Sequence, residues 1–206
     1  MVKLLELRDA HWDDWRRLLE HPVLRRLAEG NLSERSIYAW MEQDYRFVEG
    51  LLAFQAQLLP RAPSQHRLVL AHGLSVIVED LDWMEFQPIN INAPPHPTRQ
   101  RYLAFLRMLS QEPYRVGATT LWVLNRTFHD AWSAAAPQEK VFVNLIEHWM
   151  SPEFLAYMHD LGEVGESAYA AASEAEKERI HSLVDEVIRL EWASWDMANV
   201  IAKRYS

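Results

Sequence analysis

The chain has no cysteine among its 206 residues. That absence removes disulfides, thiolate nucleophiles and Cys-ligated zinc or iron–sulfur sites together, and it makes the cytoplasm the expected compartment. Glycine is scarce, at six residues, which disfavours a turn-dense β protein. No uninterrupted apolar run approaches the roughly 18 residues of a membrane span, so no membrane association is expected. An excess of cations is also missing. A formal charge of −8 gives no footprint for a phosphate backbone, and nucleic acid is not an expected partner. The opening MVKLLELRDAHWDDW carries charge within a few residues and lacks the apolar core and small-residue site of a signal peptide. Neither a phosphate-cradling glycine motif nor a GxSxG elbow is present.

What the chain does have is apolar bulk: 49% hydrophobic residues, with nine Trp, seven Tyr and seven Phe. This length and composition suffice for one domain, 1–206, with a large core. Period-two alternation is nowhere sustained, and helical spacing with clear stop signals recurs, so the fold class is all-α with about eight helices. The first runs from about Ala10 to Leu19 and stops before His21-Pro22, and a short apolar turn from Val23 to Ala28 closes at Gly30. Ser33 caps a long helix to Leu59, ended by Pro60 and Pro63. The next spans Ser64 to Phe86. Gln87 to Pro97, with four prolines, is a loop. Helices follow over Thr98–Ser110, Tyr114–Ala136, Gln138–Met150 and Glu153–Ala172, two of them with a first-turn proline. The last opens on the capping box Ser173-x-x-Glu176 and runs to about Arg204.

Two carboxylates interrupt apolar stripes. Asp44 lies on the line Ile37, Met41, Val48, Leu51, and Glu191 on the line Val184, Val187, Trp195, Ala198, so both point inward. A buried unpaired carboxylate is costly, and two facing one cavity can hold an amine-bearing ring, exchange a proton with it or bind a metal. The competing reading pairs each with an arginine at a helix edge, Arg46 or Arg189. Glu79, on a line with His72, Val76, Trp83 and Phe86, is a third inward candidate, whereas Asp80 and Asp82 fall on a solvated face. His181 and Asp185, one turn apart, form a surface pair or a chelate. His129 and His148 read as satisfied core histidines, with pocket walls the alternative. Aromatic residues gather near the inward carboxylates, among them Trp83 and Trp149, as a cage for a flat or cationic ligand requires.

His21-Pro22, Leu32-Ser33, Gln43-Asp44-Tyr45 and Glu191-Trp192-x-x-Trp195-x-Met197-Ala198 together resemble the TenA family, also called thiaminase II. The likeness spans most of the chain. It implies a haem-oxygenase-like helical bundle, assembly as a homodimer or homotetramer, and hydrolysis of an aminopyrimidine in thiamin salvage without a cofactor. Asp44 matches the family aspartate that holds the ring, and Glu191 the catalytic glutamate near the carboxyl end. Three positions depart: the family cysteine falls at Thr120, a tyrosine becomes Phe47, and a later tyrosine becomes Trp149. Without the thiol the covalent route is lost, because threonine at its free pKa is a poor nucleophile without an adjacent base. The cysteine-free members imply paired glutamates instead, here Glu191 with Glu79, activating water while Asp44, Phe47, Thr120, Trp149 and Trp83 contact the substrate. The same fold resembles non-haem iron oxidases, for which Asp44, Glu79, Glu191, His181 and Asp185 would be the iron ligands. It also resembles pyrroloquinoline-quinone synthase, which an acidic pocket argues against. A catalytically inactive small-molecule-binding protein is the remaining alternative.

Overall fold

A computed structural model of the chain describes residues 2–136 and 140–204. All regular structure among them is helical: α1 (Val2–Ala10), α2 (Trp12–Leu19), α3 (Pro22–Ala28), α4 (Glu34–Leu58), α5 (Ser64–Glu85), α6 (Pro97–Leu109), α7 (Tyr114–Ala135), α8 (Lys140–Trp149), α9 (Pro152–Ala170) and α10 (Glu174–Ala202), with a 3-10 turn at Leu59–Arg61. The described helices number ten, against about eight expected. The two additions lie before residue 30. Leu4 and Leu7 bury one side of α1, which packs on α9. Its amino end is held by Glu166, whose carboxylate accepts from the Lys3 and Leu4 amides, both at 3.0 Å. The apolar turn after His21 is a full helix, α3, because the His21 imidazole accepts from the Val23 amide at 3.2 Å and Pro22 fills the first helical position.

Elsewhere the punctuation works as read. The Ser33 hydroxyl accepts from the Ser36 amide, Ser151 from the Phe154 amide, and both hydrogen bonds of the Ser173–Glu176 capping box form, at 2.8 and 3.3 Å. Gly30 closes α3 with φ of 68°, a left-handed conformation that favours glycine. The expected start at Pro137 and Gln138 lies outside the described residues.

Helix α7 is the hub. It packs against α9, α10, α4, α3 and α2, and Leu121, Val123 and Trp132 on it are fully enclosed. Burial of this kind stabilises by about 1.5–3 kcal/mol per large apolar side chain. The proline-rich loop is fastened to α4: Gln43 donates to the Pro94 carbonyl at 3.2 Å and accepts from the His96 amide at 2.6 Å, and Glu42 accepts from the Asn90 amide at 3.1 Å. Among the described residues no helix is long and apolar enough to cross a membrane.

Candidate functional site

Helices α4, α5, α7, α8 and α9 enclose a cavity of about 250 Å³. Its walls are aromatic and aliphatic, with Phe47, Phe128, Trp149, Phe154 and Tyr157 prominent, and its polar groups include Asp44, Glu79, Asp80, Asn125, His148 and Glu153. Among the described residues no lysine or arginine is part of the lining. Close approach of α5 to α9 depends on Gly73, where a Cβ would sit 2.3 Å from the Gln55 amide nitrogen and 2.4 Å from the Tyr157 ring. Tyr157 donates to Gln55, which donates to the Leu70 carbonyl, so that wall is tied to the α4–α5 pair.

Asp44 forms one polar end. It is 7% exposed and accepts from Arg99 Nη2 at 3.3 Å. Arg99, on α6, is itself 2% exposed and lies over the rings of Phe47 and Tyr102, 5.0 and 5.8 Å from their centroids. Behind it Tyr102 donates to Glu191 Oε1 in a short hydrogen bond of 2.5 Å. Burial pushes the Asp44 carboxyl up to about 7, with Arg99 pulling it down and the charges of Asp80 and Glu191 adding to the rise. Burial raises Glu191 as well, against the Tyr102 hydrogen bond and Arg99. Tyr102 is driven well above its usual range by burial first and by the neighbouring glutamate second. One buried cation thus serves two buried acids. At neutral pH Asp44 is partly protonated, able to accept from an amine and donate to a ring nitrogen.

Asp80 and His148 form another polar group. Asp80 Oδ1 accepts from His148 Nε2 at 2.9 Å and from the Trp149 indole at 3.1 Å. Trp83 stacks on the His148 ring with centroids 3.8 Å apart and planes 10° off parallel. Sequence reasoning placed Asp80 on a solvated face, and here the helical phase differs. The buried stripe of α5 is His66, Leu70, Gly73, Ile77, Leu81 and Met84, about one residue from the line through Glu79. Glu79 lines the cavity from an exposed position, and Phe86, on the same sequence line, is 89% exposed.

Of the other sequence candidates, Phe47 and Trp149 line the cavity, Trp83 backs it through His148, and Glu191 lies behind the wall at Tyr102. Thr120 is buried outside the lining, its hydroxyl donating to the Val116 carbonyl at 2.8 Å. The anticipated partners of the carboxylates are also different, since Arg46 pairs with Glu49 and Arg189 with Glu186. His181 and Asp185 meet neither cavity group. His11 Nδ1 bonds Asp185 at 2.7 Å, His11 Nε2 bonds His181 Nδ1 at 2.8 Å, and Tyr169 reaches His181 Nε2 at 3.3 Å. The five iron-ligand candidates are therefore not gathered at one point, and among the described residues no group of three or more His, Asp or Glu side chains is placed to hold a metal ion. Residues not foreseen are Arg99 and Tyr102. Both sit on the apolar line Tyr102, Phe105, Leu106, Leu109 of α6, so the rule that singled out Asp44 finds Arg99 when it is applied to cations.

Comparison with known proteins agrees with this architecture. No protein-family model matches the chain. A curated relative, a probable bifunctional TENA-E protein of Glycine max, is 21% identical over 194 residues, covering 86% of this chain and 85% of its own. The X-ray structure of a TenA homologue from Pyrococcus furiosus superposes with a TM-score of 0.87 at 27% identity, covering 94% of this chain and 98% of that one. Haem oxygenase from Leptospira interrogans shares the fold at a TM-score of 0.60 and 16% identity, covering 95% and 98% of the two chains.

Proposed function

The chain belongs to the TenA family, and on that premise we propose that it is a hydrolase of an amino-substituted heteroaromatic compound, of the aminopyrimidine kind handled in thiamin metabolism, with water as the nucleophile. The observation that carries this reading is the cavity. Among the described residues it is lined by the carboxylates Asp44, Glu79, Asp80 and Glu153, with no lysine or arginine in the lining and aromatic faces around them. Such a lining favours an amine-bearing or cationic flat molecule. At about 250 Å³ the space falls below the range of drug-sized pockets, about 300–1,000 Å³, and suits a single substituted ring.

Asp44 is the anchor in this reading. Arg99 occupies Oδ1, and a carboxyl titrating near 7 can accept from an exocyclic amine and, when protonated, donate to the adjacent ring nitrogen. Glu191 acts through Tyr102 and Arg99 on the charge of that anchor. The Thr120 hydroxyl is committed to a helix carbonyl, which supports direct attack by water over a covalent intermediate.

The test is ammonia release from 5-(aminomethyl)pyrimidin-4-amine and ring analogues lacking one amine, with affinity measured by calorimetry for wild type and Asp44→Asn. Expected are turnover by wild type and affinity weakened by at least about tenfold in the variant, the worth of one hydrogen bond to a charged group. Equal affinity would remove Asp44 from the site. Absence of turnover across the panel would end the hydrolase reading.

A further inference from the structure

We propose that His148 is the base that activates the attacking water and that Asp80 is its positioning residue, an inference that rests on the hydrolase reading above. An ionised carboxylate can only accept. The 2.9 Å contact between Asp80 Oδ1 and His148 Nε2 therefore places the imidazole hydrogen on Nε2 and leaves Nδ1 as the acceptor. Among the described residues Nδ1 has no hydrogen-bond partner, and His148 is part of the cavity lining. Three contacts fix the group. The Trp149 indole donates to the same Asp80 oxygen at 3.1 Å, Trp83 lies parallel to the imidazole at 3.8 Å, and Trp149 is wedged against Trp132 at 4.6 Å. A carboxylate holding one imidazole nitrogen so that the other can take a proton is the arrangement that hydrolases use to orient a base.

Neither glutamate expected for this role has that geometry. Glu191 is enclosed behind Tyr102, outside the lining, and Glu79 stands at an exposed edge. In the step assigned here, His148 Nδ1 takes a proton from water as the water oxygen bonds to the carbon bearing the amine. The C–N bond breaks with its electron pair on nitrogen, and the departing amine recovers the proton from His148. The products are the hydroxy compound and ammonia, and the imidazole returns to its starting tautomer.

The experiment measures ammonia release by wild type, His148→Ala and Asp80→Asn, with and without free imidazole, together with the imidazole ¹⁵N shifts of wild type. Expected for His148→Ala is a fall in kcat of at least about 100-fold, the lower end for general acid–base catalysis, with KM unchanged and part of the rate restored by imidazole. Asp80→Asn is expected to lower kcat and to shift His148 away from the Nε2–H tautomer. Unimpaired turnover by His148→Ala overturns the assignment and leaves the hydrolase reading standing. A wild-type imidazole protonated on Nδ1 with Nε2 bare overturns it whatever the rates. A wild type that releases no ammonia refutes the hydrolase reading and this inference with it. Thermal melts of each variant separate loss of rate from loss of fold.

Discussion

Replacing Arg99 with methionine is expected to destabilise the protein in a way that depends strongly on pH. The guanidinium is 3.3 Å from Asp44 and lowers the proton affinity of both Asp44 and Glu191. A carboxyl whose folded pKa lies above its unfolded one binds its proton more tightly when folded. Asp44 therefore favours folding at acid pH, and that contribution is lost as pH rises from the unfolded value of 3.8 through about 7. Three units at 1.36 kcal/mol each amount to on the order of 4 kcal/mol in wild type. Without Arg99 both carboxyls move higher still, and the loss extends to higher pH. Breaking a buried pair costs about 3–5 kcal/mol when the remaining charge persists. For a domain of this size each kcal/mol is about 2–4 °C in Tm, so Arg99→Met should lower Tm by roughly 6–20 °C at about pH 9. At about pH 5.5 Asp44 is mostly protonated in the folded state and no longer balances the Arg99 charge. There the variant should fall by less than about 8 °C, the worth of its lost buried ring contacts at about 2 kcal/mol, or should gain. An equal drop at both pH values would refute the coupling of this cation to the two acids.

Ser173→Ala removes one half of the α10 capping box and should cost about 1 kcal/mol in chemical denaturation, with the slope m unchanged. Gly73→Ala forces a methyl group into the Gln55–Tyr157 contact and should cost about 1–3 kcal/mol; a neutral result would mean that α5 and α9 can move apart freely. Burial first, then the His11 charge, lowers the His181 pKa against the pull of Asp185. The folded state therefore binds that proton less tightly, and the contribution of His181 is complete above pH 6.5 and lost as pH falls below it. NMR titration should place His181 below an unperturbed histidine, and His181→Gln should flatten the acid side of the stability profile.

Much of the bundle was legible because its helix ends are written in residues with a local mechanism. Ser33, Ser151-Pro152 and Ser173-x-x-Glu176 cap where spacing said they would. The missed helices before residue 30 carry weaker signals. α1 buries only Leu4 and Leu7, and its stability comes from α9 and Glu166. In the site, Asp44 was legible from its apolar neighbours. Its partner was not, because Arg99 is 55 residues away and only packing of α6 on α4 brings them together. Glu79 and Asp80 differ by one position, about 100° around a helix. The sequence of α5 is apolar on too many sides to fix that phase, which is set by contact with α9 through Gly73.

The tryptophans packed together beside the site supply an optical signal that needs no label. Trp40 and Trp195 stack with centroids 5.5 Å apart and planes 13° off parallel, and Trp132 joins Trp195 at 6.2 Å and Trp149 at 4.6 Å. Indoles this close and this rigidly held couple their transitions, so the near-ultraviolet circular dichroism of the protein should be intense. Trp149 belongs both to that cluster and to the cavity lining, which makes the dichroism spectrum a direct readout of whether the cavity is filled.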